Sequence, residues 1–254
     1  MPELDRDGVR IHYESHGRGP AVLLSHGYSA SCRMWDAQVA ALSDRWQVIT
    51  WDMRGHGRSD YPEDLREYTP EHTVADMAAI LAQLGVGRAV IGGLSLGGVM
   101  SLEFHRAHPE LTAALMLFDT GPGFRRSEAR DEWNARSRHR ADELEARGLA
   151  ALGRSDETRL GEHRSADGLA RAARGMLTQR DDRLMRSLPT IAVPTLVLVG
   201  SEDKPFLAAT DYMAAKIAGA TKVVIPNAGH AANLHQPLLF NQAMIAFLAG
   251  LPEG

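Results

Sequence analysis

The feature that most restricts the fold of this chain is a series of short apolar segments separated by segments of helical spacing. Several short segments, such as AVLL at 21–24 and TLVLV at 195–199, are apolar throughout or nearly so, which is typical of strands covered on both faces. Predicted strands occupy residues 9–14, 21–25, 47–51, 89–92, 113–118, 195–200 and 222–225, and predicted helices occupy 34–42, 73–84, 96–108, 207–217 and 237–248. The alternation predicts an α/β fold, a mostly parallel sheet with helices on both faces. No helix separates the first two strands, which predicts an antiparallel hairpin there.

A long segment between two of these strands differs from the rest in composition. Residues 121–187 are rich in Arg, Ala and Glu, contain no strand-like run and show helical spacing. The segment follows a strand that ends at Phe118, so it begins at the carboxyl edge of the sheet, where α/β proteins bind ligands. We therefore predict a core of residues 1–120 and 188–254, with a short helical cap, or lid, over residues 121–187. The alternative is a solvated helical excursion.

Composition excludes several classes of protein. A net charge of −4 gives no indication of a nucleic-acid partner. Residues 223–252 lack charged side chains, but their Pro, Asn, Gln and His residues disfavour a membrane span. The polar start MPELDRDG does not resemble a signal peptide, and Cys32 is the single cysteine of the 254 residues. We expect a soluble, cytoplasmic protein without metal or organic cofactor, since no metal-ligand motif is present. The sequence does not indicate the oligomeric state.

One serine lies in a motif that carries chemistry. Gly-Leu-Ser-Leu-Gly at 93–97 fits the pattern Gly-x-Ser-x-Gly, and it lies between a predicted strand and a predicted helix. In that pattern the serine sits on a sharp turn, and glycines flank it because a side chain would collide with the neighbouring elements. Ser95 is therefore the candidate nucleophile. The alternative is a tight turn that only packs a helix on a strand.

A serine hydroxyl is a poor nucleophile unless a base accepts its proton. His230 follows the last predicted strand in the loop Pro-Asn-Ala-Gly-His and is the candidate base. His235 is the second candidate, but it precedes Gln-Pro and resembles a helix start.

The imidazole in turn needs a carboxylate that fixes its tautomer. Asp203 follows the strand 195–200 and is the candidate. Asp119 ends the strand 113–118 and is the alternative.

Two backbone amides are candidates for stabilising an oxyanion. The amide of Leu96 follows the serine at a helix N-terminus, where the helix dipole favours negative charge. The amide of Tyr28 lies in the loop after the strand 21–25. Its side chain is expected either to contact substrate through the hydroxyl or to line the pocket. His26 is interpreted as a structural brace of this loop.

Together these residues resemble the α/β-hydrolase fold family, whose chain order of Ser, Asp and His this sequence shares. The resemblance rests on SHGYSASCRMWDAQ (25–38), WDMRGHGRSD (51–60), GGLSLGG (92–98), GSEDKPF (200–206) and NAGHAANLHQP (227–237). It is closest in pattern to carboxylesterases and 3-oxoadipate enol-lactonases. Haloalkane dehalogenases and epoxide hydrolases carry Asp where this chain has Ser95, so their activities are not expected. The turn of residues 52–59 matches one that is usually a structural brace in the family.

The resemblance implies a serine hydrolase that cleaves a carboxylic ester of a small to medium substrate through a Ser-His-Asp triad and an acyl-enzyme. A lactonase or enol-lactonase, or a cofactor-free C–C bond hydrolase, would use the same machinery. A ligand receptor with this fold is the non-enzymatic alternative.

Specificity is expected to come from the cap. Trp133 is a candidate for the acyl pocket or for a packed helix face. The cap arginines are candidates for steering an anionic substrate or for a solvated surface; they include Arg125, Arg126, Arg136, Arg138 and Arg140.

Overall fold

The computed structural model describes residues 3–252, so residues 1–2 and 253–254 of the predicted core lie outside the described part. Its sheet has eight strands, β1 (Glu3–Arg6), β2 (Val9–His16), β3 (Ala21–Ser25), β4 (Gln47–Trp51), β5 (Ala89–Leu94), β6 (Thr112–Phe118), β7 (Thr195–Gly200) and β8 (Thr221–Ile225). Their order is β1-β2-β4-β3-β5-β6-β7-β8. The six strands β4-β3-β5-β6-β7-β8 pair in parallel with their neighbours in this series, which confirms the predicted α/β class.

The predicted hairpin between the segments 9–14 and 21–25 is wrong. Strand β2 pairs antiparallel with β4, where Tyr13 lies opposite Trp51, and β3 lies on the far side of β4. Because β3 is buried at every position, it takes an interior place with a parallel neighbour on each side. The actual hairpin joins β2 to the unpredicted β1, a polar edge strand. Its turn is Asp7-Gly8, with φ of 56° and 86°, the left-handed pair that tight hairpins prefer.

The helices are α1 (Asp36–Leu42), α2 (Pro70–Gln83), α3 (Leu96–Ala107), α4 (Ser127–Arg147), α5 (Asp156–Arg159), α6 (Ala166–Gly175), α7 (Arg183–Ser187), α8 (Lys204–Lys216), α9 (Ala232–His235) and α10 (Pro237–Ala249). All five predicted helices are present, with ends displaced by at most a few residues. Helix α2 begins earlier than predicted because Thr69 caps it: the Thr69 hydroxyl accepts from the His72 amide at 3.1 Å.

Helices cover both faces of the sheet, as predicted. On one face α1 and α10 bury Leu42, Phe240 and Met244 against the strands. On the other face α2, α3 and α8 bury side chains such as Met77, Phe104 and Met213. The strands are thereby held from both sides, and their carboxyl ends form one rigid edge.

Between β6 and β7, residues 121–187 form helices α4 to α7 and connecting loops. This segment, here called the insertion, packs through α4 on α6, where Ala141, Leu144 and Leu169 are buried. Within residues 3–252, none of the helices combines the length and apolarity that crossing a membrane requires.

Candidate active site

Ser95 occupies the single residue between the end of β5 and the start of α3. Its φ of 55° and ψ of −113° lie outside the regions that L-residues favour. Two hydrogen bonds hold this conformation. The Ser95 amide donates to Phe118 O at 2.9 Å, and the Thr120 hydroxyl donates to Ser95 O at 2.7 Å. The turn thus presents the Ser95 hydroxyl at the carboxyl edge of the sheet.

The glycines two residues to either side of Ser95 are required by close backbone contacts. A Cβ at Gly93 would lie 2.3 Å from the carbonyl carbon of Gly97. A Cβ at Gly97 would lie 2.1 Å from the carbonyl oxygen of Ser25, at the end of β3. Neither position tolerates a side chain without movement of the backbone, which is the reason the sequence pattern gives for these glycines.

His230 and Asp203 come from the loops that follow β8 and β7. These loops are bonded to each other, since the Glu202 amide donates to Ala228 O at 2.8 Å. His230 Nε2 lies 2.9 Å from Ser95 Oγ, and His230 Nδ1 lies 2.8 Å from Asp203 Oδ2. The structure therefore brings the three predicted side chains into one hydrogen-bonded chain. With the Nδ1 proton donated to the carboxylate, Nε2 is free to accept the serine proton.

The surroundings of His230 make it a stronger base. Burial lowers the pKa of His230, but the hydrogen bond and charge of Asp203 outweigh it, so the pKa is raised above 6.5. The ring also stacks on Phe206, with centroids 4.8 Å apart. Phe206 was not predicted as a site residue, although it ends the stretch GSEDKPF; it lies three residues after Asp203 in α8.

The second candidates for the acid and the base lie close by but bond elsewhere. The Asp119 carboxyl accepts from the Gly200 amide at 2.8 Å and from the Ala232 amide at 3.4 Å. It is fully buried, and this burial raises its pKa to about 8. His235 Nδ1 accepts from the Gly229 amide at 2.9 Å. Both side chains thus hold backbone segments around His230.

The predicted oxyanion donors, the amides of Tyr28 and Leu96, have no acceptor among residues 3–252. Tyr28 lies in a turn closed by the Ala30 amide, which donates to Gly27 O at 3.2 Å. A Cβ at Gly27 would lie 3.6 Å from the Ser95 Cβ, so the turn borders the serine. The His26 ring braces this turn, since it bonds Gly27 O at 2.7 Å and accepts from the Met53 amide at 3.0 Å.

A cleft beside Ser95 has two lobes, and Ser95 lines both of them. The apolar lobe has a volume of about 320 Å³ and the polar lobe about 480 Å³. The apolar lobe is lined by Leu96, Val99, Phe124, Trp133, Met176 and Phe206, among others. The second lobe is called the polar lobe because it carries more polar groups, such as Tyr28, Ser137, Arg140, Ser155, Glu157 and His230, although Trp133, Leu152, Leu177 and Phe206 also line it. Helix α4 of the insertion contributes side chains to both lobes.

A model of the alpha/beta hydrolase family matches residues 22–243 of this sequence. The chain belongs to the alpha/beta hydrolase family. A Bacillus subtilis (strain 168) protein, provisionally named 2-succinyl-6-hydroxy-2,4-cyclohexadiene-1-carboxylate synthase, is 30% identical over 96% of this chain and 97% of its own. The 3-oxoadipate enol-lactonase 1 of Acinetobacter baylyi is 29% identical over 97% of this chain and 96% of its own. A solved thermophilic esterase from Thermogutta terrifontis matches with a TM-score of 0.87 and 29% identity over 99% of both chains.

In this α/β hydrolase, some side chains at the insertion line the cleft and others hold the insertion in place. Trp133 does both, because its ring lines the cleft while its Nε1 donates to Leu177 O at 2.7 Å. The Tyr28 hydroxyl donates to Leu169 O at 2.8 Å, so its ring lines the polar lobe while the hydroxyl is engaged by the insertion. Of the five cap arginines named from the sequence, Arg136 and Arg140 line the cleft.

One grouping of possible metal ligands occurs in the described part of this α/β hydrolase. Atoms of His12, Glu14 and Cys32 lie within 4.8 Å of one another. The Arg58 guanidinium already contacts Glu14 Oε1 at 3.3 Å, so a cation would meet a positive charge there. Burial also raises the pKa of the Cys32 thiol, which disfavours the thiolate that binds metals.

Proposed function

We propose that this protein is a serine hydrolase that cleaves a carboxylic ester of a small to medium substrate. The observation that carries the proposal is the hydrogen-bonded chain from Ser95 through His230 to Asp203, with distances of 2.9 and 2.8 Å at the floor of a cleft. The esterase and enol-lactonase relatives support it. No observation favours a C–C bond hydrolase, and a ligand receptor would not need a complete set of reacting groups.

The first half of the reaction forms an acyl-enzyme. Ser95 Oγ attacks the ester carbonyl while His230 Nε2 accepts the hydroxyl proton, and Asp203 stabilises the resulting imidazolium. The Tyr28 and Leu96 amides donate to the oxyanion. His230 then gives its proton to the leaving alcohol as the C–O bond breaks.

The second half repeats these steps with water. His230 accepts a proton from water, whose oxygen attacks the acyl carbon, and it returns a proton to Ser95 as the acid leaves. A positioned base contributes roughly 10²–10⁴-fold to such reactions, and each oxyanion donor about 10²–10³-fold.

The two lobes suggest which part of the substrate lies where. The leaving oxygen must lie within reach of His230, and His230 lines the polar lobe. We therefore place the alcohol in the polar lobe, beside Arg140 and Glu157, and the acyl group in the apolar lobe, beside Trp133. The insertion then acts as a cap that sets specificity. The proposed substrate has an apolar acyl group and a polar alcohol.

A lactone is the second candidate substrate, and the enol-lactonase relative favours it. Ring opening would use the same groups, with the alcohol and acyl portions of one molecule spanning both lobes.

The test compares wild type with Ser95→Ala on p-nitrophenyl esters of increasing acyl length and on a lactone series. We expect ester turnover that depends on acyl length, loss of turnover in the variant, and labelling of wild type alone by a fluorophosphonate. Turnover of lactones without turnover of esters would select the second candidate. Absence of both turnover and labelling would refute a serine hydrolase.

A further inference from the structure

His163 belongs to the insertion, in the loop between α5 and α6, and it bonds two loops of the core at once. Its Nε2 lies 2.9 Å from the carbonyl oxygen of Ser29, and its Nδ1 lies 3.2 Å from the Gly57 amide. A carbonyl oxygen only accepts and an amide only donates. The ring is therefore neutral, with its proton on Nε2 donated to Ser29 and its Nδ1 lone pair accepting from Gly57.

Ser29 lies in the turn of residues 27–30, which carries the Tyr28 amide. It is the third residue of that turn and has a φ of 59°, a conformation that turns usually assign to Gly or Asn. A serine does not favour this conformation by itself, so contacts from outside the turn must hold it. Its carbonyl oxygen is the group that receives the His163 proton.

The insertion bonds the neighbours of Ser29 as well. The Tyr28 hydroxyl donates to Leu169 O at 2.8 Å, and the Ser31 hydroxyl donates to Leu160 O at 2.7 Å. Three of the four residues 28–31 of the core loop thus bond residues 160–169 of the insertion. The His163 ring itself is closely seated, since a Cβ at Gly161 would lie 2.4 Å from its Nε2.

We propose that His163 is a positioning residue that holds the Tyr28 amide in place for the oxyanion by donating its Nε2 proton to Ser29. This inference rests on the proposed ester hydrolysis, in which that amide is a donor. His163 acts through the turn, while the residues that line the cleft contact the substrate. Its bond to Gly57 keeps the Nδ1 side deprotonated and so fixes the tautomer.

Burial keeps His163 neutral against the charge around it. The His56 ring lies 5.7 Å away and His26 lies beyond it, while the negative charge of Asp52 and the hydrogen bond to Ser29 favour the protonated ring and are outweighed by burial. The flanking Glu162 and Arg164 pair with Arg58 and Asp60. Burial lowers the pKa of His163, whereas the pKa of His230 is raised. His163 is thus neutral at every pH at which His230 can act as a base.

Three substitutions separate the two bonds of the ring. The amide nitrogen of Gln reaches about as far as Nε2 and can still donate to Ser29, whereas the amide oxygen of Asn replaces Nδ1 as the acceptor from Gly57. His163→Phe removes both bonds. His139→Phe, on the exposed surface of α4, is the matched control.

We expect His163→Phe and His163→Asn to lower kcat about 10- to 100-fold, a part of what an oxyanion donor contributes, with KM within about twofold. His163→Gln and the control keep kcat within about threefold. The inhibition constant of a trifluoromethyl ketone, whose adduct carries an oxyanion, rises in parallel with the loss of kcat. Peptides that cover residues 26–31 exchange amide hydrogens faster in the Phe and Asn variants alone.

Equal kcat in all variants, rescue by Asn instead of Gln, or equal loss in all three His163 variants together with a lower Tm would overturn the proposal. The exchange measurement distinguishes the two proposals. Wild type without esterase activity but with the expected exchange pattern refutes the proposed function alone. Active wild type with unchanged exchange in the variants refutes the positioning role alone.

Discussion

Replacing Asp203 by Asn removes one negative charge from the candidate site and leaves its shape almost unchanged. In the structure the carboxylate accepts the Nδ1 proton of His230 at 2.8 Å. The amide group of Asn can instead donate to Nδ1, which places the proton on Nε2, where it blocks acceptance from Ser95. We expect kcat to fall by about 10⁴-fold, as for the equivalent change in another serine hydrolase. That loss corresponds to about 5 kcal/mol of transition-state stabilisation.

Asp119→Asn is the matched control, because Asp119 is the other carboxyl near His230. Its oxygens accept from the amides of Gly200 and Ala232, and burial raises its pKa to about 8. The side-chain oxygen of Asn can still accept from the Gly200 amide, so the shorter of the two hydrogen bonds is retained. We expect kcat to change by less than about tenfold, since the group does not orient the imidazole.

The assay measures initial rates of both variants on one p-nitrophenyl ester over a range of pH. Asp203 is what raises the pKa of His230 against the effect of burial. The residual activity of Asp203→Asn should therefore persist to lower pH than that of wild type. A loss of about 10⁴-fold in Asp119→Asn, with little change in Asp203→Asn, would refute the assignment of the acid.

Three further predictions follow from the same geometry. Wild-type activity should fall as pH falls through the pKa of His230, which Asp203 raises, because the protonated ring cannot accept the serine proton. A pH–rate profile whose acid limb lies below the usual pKa of a histidine would contradict this. Gly97→Ala, whose Cβ would lie 2.1 Å from a carbonyl oxygen, should lower the free energy of unfolding in urea by about 3 kcal/mol, whereas Gly87→Ala, with open space around its Cβ, should change it little. The pKa of Asp119 is raised from 3.8 to about 8, so its carboxyl binds a proton more tightly in the folded state. Wild type should therefore lose stability relative to Asp119→Asn as pH rises from about 4 to about 8. A constant difference between the urea midpoints of the two proteins would contradict the raised pKa.

The sequence predicted most of the fold because buried strands leave short apolar runs and helices leave a pattern of helical spacing. It also pointed to Ser95, Asp203 and His230, since each lies in the turn or loop that follows a strand and the carboxyl ends of parallel strands share one edge. The order of the strands in the sheet could not be predicted as well. The alternation of apolar and polar residues in β2 indicates only that one of its faces is buried. It did not reveal that its neighbour in the sheet is β4 and not β3. The polar β1 carried no apolar signal.

Residues that act through distant contacts could not be predicted from the sequence. His163 bonds Ser29 across 134 positions of the chain, and no local pattern marks such a pair. Helix α4 is polar along most of its length, so its spacing did not reveal that Trp133 meets the cleft. Asp119 was considered as the acid because it ends a strand, but only its bonds to backbone amides reveal its actual contacts.

We infer from the proposed function that different parts of the insertion affect the rate and the specificity of ester cleavage. Helix α4 contributes Trp133, Arg136 and Arg140 to the walls of the cleft, whereas residues 160–169 bond the turn that carries the Tyr28 amide. Substitutions in the cleft-facing residues of α4 should therefore change which esters are cleaved. Substitutions in residues 160–169 that loosen the turn should slow every ester alike, because each substrate forms the same oxyanion.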